Sequence, residues 1–69
     1  MERETVYGSG ILSMGYDRTT QILEIEWPRS RVYQYNVPEH VYWNLRDSDE
    51  KTAHFNQYIR RRYPGHRIS

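Results

Sequence analysis

The sequence predicts an α+β fold, in which a three-stranded antiparallel β-meander is followed by two α-helices packed on one face. Two patterns predict this fold. Up to Asn36, apolar residues alternate with polar ones at a period of two, which is typical of half-buried strands. After Pro38, apolar residues recur every three or four positions, which is typical of amphipathic helices. The connections between the predicted strands are short, and short connections favour antiparallel neighbours.

The three predicted strands are separated by polar turns. The first covers residues 11–17, where Leu12, Met14 and Tyr16 alternate with smaller residues. The second covers residues 22–27, and the third covers residues 32–36. We expect one face of this sheet to pack beneath the helices. The other face, which we expect to be wet or to contact a partner, carries Ser13, Glu24, Glu26 and Gln34.

Two helices are predicted after the strands. Pro38 suits the first turn of a helix, where its missing N–H costs nothing. A second helix is predicted over residues 49–62, with Asp47 or Ser48 as its cap, and Pro64-Gly65 stops it. The predicted interior consists of Leu23, Ile25, Tyr35, Val41, Leu45, Phe55 and Ile59.

Length and composition limit the class of protein. The 69 residues allow one domain, and the absence of cysteine excludes disulfides and thiolate metal sites. No apolar run approaches the ~18 residues of a membrane helix. We therefore expect a cytoplasmic protein without a membrane partner.

Charge and aromatic content point to binding partners. From Tyr58 onward the chain has four arginines and no acid, which is typical either of a solvated helix face with a tail or of an anion-binding patch. The chain has seven Tyr, two Trp and one Phe, more than a thin core covers. We therefore expect a homo-oligomer or another partner to cover some of these rings.

Several short motifs fall in a recognisable order along the chain. They are Met14-Gly15-Tyr16-Asp17, Tyr33-x-Tyr35, Val37-Pro38 and Phe55-Asn56. Residues 9–63, which contain them, resemble the KTSC domain family, and this leaves residues 1–8 and 64–69 as terminal extensions. The family is named after the C-terminus of some lysyl-tRNA synthetases, and it also occurs as free-standing small proteins in bacteria and phages. The resemblance implies RNA binding, which has been suggested for the family.

The chain departs from the family pattern at two places. Family members usually have glycine in the turn before the third strand, where this chain has Pro-Arg-Ser-Arg at residues 28–31. They often have glycine shortly before the Phe-Asn pair, where this chain has Thr52. We expect the turn to tolerate its change, and we expect Thr52 to alter the shape of any pocket beside it.

The sequence carries no pattern of a catalytic or metal centre. It has no cysteine and no G-x-S-x-G motif, and its three histidines do not have metal-ligand spacing. We therefore expect a protein that is not an enzyme and that uses no metal or cofactor.

The candidate binding site lies on the predicted second helix. Asn56 and Arg60 are four residues apart, so they share one flank, and an arginine offers a fork for phosphate. We expect Tyr16, Tyr33 and Tyr35 near the ligand and Ser9 at its edge. The predicted function is capture of a nucleotide-like anion: a free nucleotide, sequestered as by a phage-type protein, or a short single-stranded RNA segment. The alternative is a protein-interaction or homo-oligomeric assembly module without a small ligand.

Overall fold

The computed structural model describes residues 1–69 and has an α+β architecture with five strands rather than the three predicted. In chain order, the elements are β1 (Glu4–Thr5), β2 (Ser13–Asp17), β3 (Ile22–Trp27), β4 (Arg31–Asn36), α1 (Glu39–Asp47), α2 (Lys51–Tyr58) and β5 (Gly65–Arg67). The strands form one antiparallel sheet in the order β1-β2-β3-β4-β5. The predicted meander is therefore its centre, and one further strand flanks each side.

The two edge strands lie in the segments that we predicted to be terminal extensions. β1 pairs Glu4 with Met14, and β5 pairs Arg67 with Tyr33. Every residue of β1 and β5 is exposed, so neither strand has an alternation of apolar and polar residues. Backbone hydrogen bonds pair them with β2 and β4, and backbone pairing leaves no pattern in the sequence.

The two central hairpins use left-handed backbone conformations without glycine. In the β2–β3 turn, the Asp17 carboxylate accepts hydrogen bonds from the backbone N–H groups of Thr19 and Thr20, at 2.9 and 3.3 Å. In the β3–β4 turn, Arg29 and Ser30 have φ angles of 69° and 59°. Such a pair of positive φ angles twists the chain as a tight hairpin requires.

The core lies between the front face of the sheet and the helices. Of the seven predicted interior residues, all but Val41 are buried, and Val41 is partly buried against the core. Four further residues complete the cluster, namely Ile11, Met14, Val37 and Tyr42.

The helices differ from the prediction at their ends. α2 ends at Tyr58 instead of residue 62, and a turn follows in which the backbone N–H groups of Arg62 and Tyr63 donate to the Ile59 carbonyl. Ser48 closes α1, and its hydroxyl accepts from the Glu50 N–H at 3.1 Å instead of capping α2. Neither helix is long and apolar enough to cross a membrane.

The N-terminal segment covers part of the back face of the sheet. The Arg3 guanidinium pairs with the Glu24 carboxylate and donates to the Ser13 hydroxyl at 2.9 Å. A Cβ on Gly15 would collide with the Glu2 carbonyl oxygen, so the segment passes directly over this glycine. Glu24 is consequently only 5% exposed. The prediction of a wet or partner-covered face is wrong at Ser13 and Glu24, because the chain's own N-terminal segment covers both.

Candidate functional site

A cleft of about 460 Å³ lies on the front of the molecule between β4, α2 and β5. Half of its lining is apolar or aromatic, and its charged side chains are Arg31 and Arg60. No Asp, Glu or His lines it. The lining residues are Trp27, Arg31, Tyr33, Tyr35, Thr52, Phe55, Asn56, Arg60, Tyr63 and Gly65.

The strand side of the cleft comes from alternate residues of β4. Arg31, Tyr33 and Tyr35 are two residues apart, so all three point to the front face of the sheet. The Tyr33 and Tyr35 rings are close to parallel, with centroids 6.3 Å apart and planes 19° apart. Tyr35 is 6% exposed, whereas Tyr33 is only partly buried. Tyr33 is therefore the open ring of the pair.

The helix side of the cleft is a polar stripe. Thr52, Asn56 and Arg60 follow one another at intervals of four residues, which is close to one turn of an α-helix. The backbone N–H of Arg60 donates to the Phe55 carbonyl at 2.9 Å, so the helical path carries Arg60 just beyond the end of α2. The stripe presents a hydroxyl, an amide and a guanidinium in that order.

Phe55 joins the two sides of the cleft. Its ring makes edge-to-face contacts with Tyr35, at 5.1 Å between centroids, and with Trp27, at 5.0 Å. Aromatic pairs in this arrangement contribute beyond the area they bury. Phe55 is itself 3% exposed, so it holds the position of α2 against β3 and β4 without offering a face to a ligand.

Both arginines of the cleft are free of acidic partners. The three ion pairs of the molecule join Arg3 to Glu24, Arg18 to Glu39, and Arg46 to Glu4. The Arg31 Nε donates to the Pro28 carbonyl at 3.0 Å, which leaves its terminal nitrogens unused, and Arg60 has no side-chain hydrogen bond. The cleft therefore has uncompensated positive charge.

The electrostatic effect of Arg60 extends to Tyr35. Burial raises the pKa of the Tyr35 hydroxyl above its ordinary value of 10.0, and the neighbouring Trp27 indole and the positive charge of Arg60 oppose this rise. The hydroxyl remains protonated near neutral pH. It is therefore available as a neutral hydrogen-bonding group.

Four of the six predicted site residues meet in this cleft, namely Tyr33, Tyr35, Asn56 and Arg60. Ser9 lies behind the lining, where its hydroxyl hydrogen-bonds to that of Thr52 at 2.7 Å. Tyr16 lies elsewhere. Its hydroxyl donates to the Val37 carbonyl at 2.7 Å, and its ring stacks on Tyr42 with centroids 4.8 Å apart. Tyr16 therefore supports the packing of α1 instead of lining the cleft.

Besides the predicted core residue Phe55, five lining residues were not among the predicted site residues, although Thr52 was expected to shape any pocket beside it; the five are Trp27, Arg31, Thr52, Tyr63 and Gly65. Two of them carry a signal in the sequence. Arg31 continues the alternation of Tyr33 and Tyr35 by one step, and Thr52 precedes Asn56 by the same four residues that separate Asn56 from Arg60. No local pattern identifies Gly65, because only the pairing of β5 with β4 brings it to the cleft.

The Thr52 hydroxyl fixes the loop before β2. It accepts a hydrogen bond from the Gly10 N–H at 3.0 Å, and the Ser9 hydroxyl accepts one from the Ile11 N–H at 3.2 Å. The Thr52 and Ser9 hydroxyl oxygens thus each accept a hydrogen bond from a backbone N–H. One of the two hydroxyl protons forms the hydrogen bond between Thr52 and Ser9. The remaining hydroxyl proton is a spare donor at this end of the cleft.

A second cleft of about 320 Å³ lies beside β1 and α1. Its charged lining consists of Glu4, Arg46 and Lys51, and Glu4 approaches Arg46 at 3.9 Å. The one acid thus offsets one of the two bases there, whereas no acid offsets either arginine of the front cleft. The front cleft is the better candidate for a negatively charged ligand.

The fold and this cleft define a class of small α+β domain in which a Tyr-x-Tyr strand and an Asn-bearing helix enclose a basic aromatic cleft. The family model for the KTSC domain matches residues 8–63. The chain belongs to the KTSC domain family.

The chain is similar to three known proteins. The crystal structure of a KTSC domain protein from Yersinia pestis has a TM-score of 0.91, is 33% identical, and is matched over 99% of this chain and 97% of that one. A protein of Stutzerimonas stutzeri (strain A1501) is 38% identical over 61 residues, which cover 87% of this chain and 86% of that protein. A lysine–tRNA ligase of Nostoc punctiforme is 35% identical over 63 residues. That match covers 90% of this chain and 11% of the ligase.

Proposed function

We propose that the protein captures a nucleotide-like anionic ligand in the front cleft and releases it unchanged. The observation that carries the proposal is the composition of the cleft, in which two unpaired guanidiniums and a partly exposed tyrosine ring occur without any carboxylate. Arginine binds phosphate through charge-assisted and often bidentate hydrogen bonds. An open aromatic face stacks on a nucleobase.

The size of the cleft supports a small ligand. Its volume of about 460 Å³ falls within the ~300–1,000 Å³ of small-molecule sites. The whole chain has a net charge of +1, whereas proteins that bind long nucleic acids are usually strongly basic. The proposed ligand is therefore a free nucleotide, which the protein would sequester, or a short single-stranded RNA segment. The similarity to part of a lysine–tRNA ligase supports the RNA form.

The chemistry of the lining supports binding without turnover. General acid–base catalysis works best with a group whose pKa lies near the working pH. The titratable groups in the cleft are arginines and tyrosines, and burial moves the pKa of Tyr35 further above neutrality. We also propose a cytoplasmic location, because a chain without cysteine needs no oxidising compartment.

The alternative proposal is a homo-oligomeric or protein-binding assembly module. Exposed apolar side chains favour it, since Tyr7 is 87%, Trp43 is 41% and Tyr58 is 48% exposed. Sedimentation at micromolar concentration tests self-association. A single 8.5 kDa species would exclude a stable homo-oligomer.

Native mass spectrometry of the protein purified from cells tests the proposed function directly. The expected result is a mass increase that matches a nucleotide or a short oligonucleotide and is lost on denaturation. Titration of the ligand-free protein with nucleotides should then restore the complex. If neither approach detects a bound anion, the assembly module replaces nucleotide capture.

A further inference from the structure

The two arginines of the front cleft mark its opposite ends. Arg31 and Tyr35 are four residues apart on β4, and the strand rise of ~3.3 Å per residue places their Cα atoms about 13 Å apart. Gly65 pairs with Tyr35 at one end, whereas Trp27 pairs with Arg31 at the other. The β4 strand therefore runs the length of the cleft.

The helix stripe runs along the same axis. The Thr52 hydroxyl accepts a hydrogen bond from the Gly10 N–H. Two residues after Gly10, the Leu12 N–H donates to the carbonyl of Glu26, the residue before Trp27, at 2.9 Å. Thr52 thus lies at the end of the cleft near Trp27. Arg60 lies about two helical turns further along, at the end that Tyr63 and Gly65 close. The front cleft consequently has one cation at each end.

The middle of the cleft has the groups that recognise a planar ring. Tyr33 stands halfway between Arg31 and Tyr35 on β4, and Asn56 stands halfway between Thr52 and Arg60 on the helix side. A carboxamide pairs with an adjacent donor and acceptor on a base edge. Since Tyr35 and Phe55 are buried, Tyr33 is the partly exposed ring of the β4 pair and the one available to a base.

We propose, on the basis of the nucleotide-binding function above, that the ligand is a single nucleotide with a phosphate on each side of its ribose. The base stacks on Tyr33 beside Asn56, and Arg31 and Arg60 each bind one phosphate. A nucleoside triphosphate carries all its phosphates on one side, so it leaves one of the two arginines without an anion. A longer strand adds phosphates, whereas Arg31 and Arg60 are the two arginines of the cleft lining. Arg67, which pairs with Tyr33 from β5, lies outside that lining.

Calorimetric titration with defined nucleotides tests this inference. The series consists of a nucleoside 5′-monophosphate, its 5′-triphosphate and its 3′,5′-bisphosphate, measured for each of the four ribonucleosides, together with single-stranded hexaribonucleotides. For the preferred base, we expect the bisphosphate to bind at least ~10-fold more tightly than the other two nucleotides, as one added charge-assisted contact predicts. The hexanucleotide should bind no more tightly than the bisphosphate.

Two substitutions identify the ends of the cleft. Arg31→Gln and Arg60→Gln should each weaken binding of the bisphosphate by ~10-fold or more. One of them should leave monophosphate affinity unchanged, because the monophosphate uses one end only. Both side chains are exposed, so both variants should keep the melting temperature of the parent protein. Arg61→Gln, which changes an exposed arginine outside the cleft, is the matched control.

The outcomes separate this inference from the proposed function. Equal affinity for monophosphate and bisphosphate, or tightest binding of the triphosphate, overturns the two-phosphate ligand and leaves nucleotide capture in place. Affinity that rises steadily from the bisphosphate to the hexanucleotide shows an RNA strand as the ligand instead. Failure of every nucleotide and oligonucleotide to bind overturns the proposed function itself.

Discussion

Gly65 of β5 lies directly against the ring of Tyr35 on β4. A Cβ placed on Gly65 would stand 2.5 Å from Cε2 of Tyr35 and 3.1 Å from two further ring atoms. The strands pair at these two residues, so the glycine lets the edge strand approach a ring that is itself part of the core. Gly65 lies outside residues 8–63, which the family model matches, and through this contact it closes one end of the cleft.

Gly65→Ala should therefore displace β5 or turn the Tyr35 ring. Overpacking of this kind costs ~1–3 kcal/mol of unfolding free energy. Thermal or chemical unfolding measures the loss, and amide exchange of Ile68, whose N–H donates to the Val32 carbonyl at 2.8 Å just beyond β5, reports the release of the edge strand. His66→Ala is the control, since His66 is exposed on the same strand. Equal stability of the two variants would contradict the close contact.

Arg60→Ala should weaken binding of the co-purifying anion roughly ten- to hundred-fold, because it removes one charge-assisted contact. Arg60 is exposed, so the fold should remain intact. Calorimetric titration of Arg60→Ala and of Arg61→Ala makes the comparison, since Arg61 does not line the cleft. Weaker binding by Arg61→Ala alone would show that the ligand occupies another surface.

The Glu24 carboxylate should make the protein sensitive to acid. Burial raises its pKa, but hydrogen bonds from Gln34 and Arg3 and the charge of Arg3 outweigh burial, and the pKa lies below its ordinary value of 4.5. The resulting stability is complete above about pH 4.5 and is lost as the pH falls through the lower value of the folded state.

Glu24→Gln should consequently lower the melting temperature at pH 7 and flatten its fall between about pH 5 and pH 2. Asp49→Asn, at an exposed carboxylate without an ion pair, should keep the pH dependence of the parent protein. Melting curves across this range make the comparison. An unchanged acid transition in Glu24→Gln would show that other carboxylates control it.

Phe55→Ala should cost ~3–5 kcal/mol of unfolding free energy, which is a large share of the ~5–15 kcal/mol of a typical domain. Phe55 contacts both Tyr35 and Trp27, so its loss separates α2 from the sheet. Tyr58→Ala is the control on the same helix, because Tyr58 is 48% exposed. Denaturant unfolding measures both variants, and a cooperative Phe55→Ala transition at the midpoint of the parent protein would contradict this role.

Local patterns predicted the centre of the fold. β3 has the predicted bounds of Ile22–Trp27. The apolar–polar alternation that includes Leu23, Glu24 and Ile25 extends to the end of this strand. The same reasoning placed Tyr33 and Tyr35 on one face and Asn56 and Arg60 on one flank, and the structure brings these four residues to one cleft.

The prediction for Tyr16 shows the limit of a single strand pattern. Tyr16 shares the front face with Tyr35, as its period predicts, but the two lie on opposite sides of Leu23, with which both pair. Which part of that face is covered by α1 and which remains open depends on helix placement. Because α1 brings Tyr42 onto Tyr16, the ring is packed and the hydroxyl is bonded to Val37.

Periodicity was enough to predict the α+β class, the three central strands, the two helices and most of the core, because it records which face of each element is buried. The edge strands, the covering of Glu24 by Arg3 and the closure of the cleft by Gly65 depend on tertiary contacts. Each of these features joins residues distant in the chain through backbone pairing or a single polar contact. Such contacts leave no period in the sequence. Local patterns therefore predict the central elements of the fold, whereas the cleft is complete only when residues distant in the chain come together.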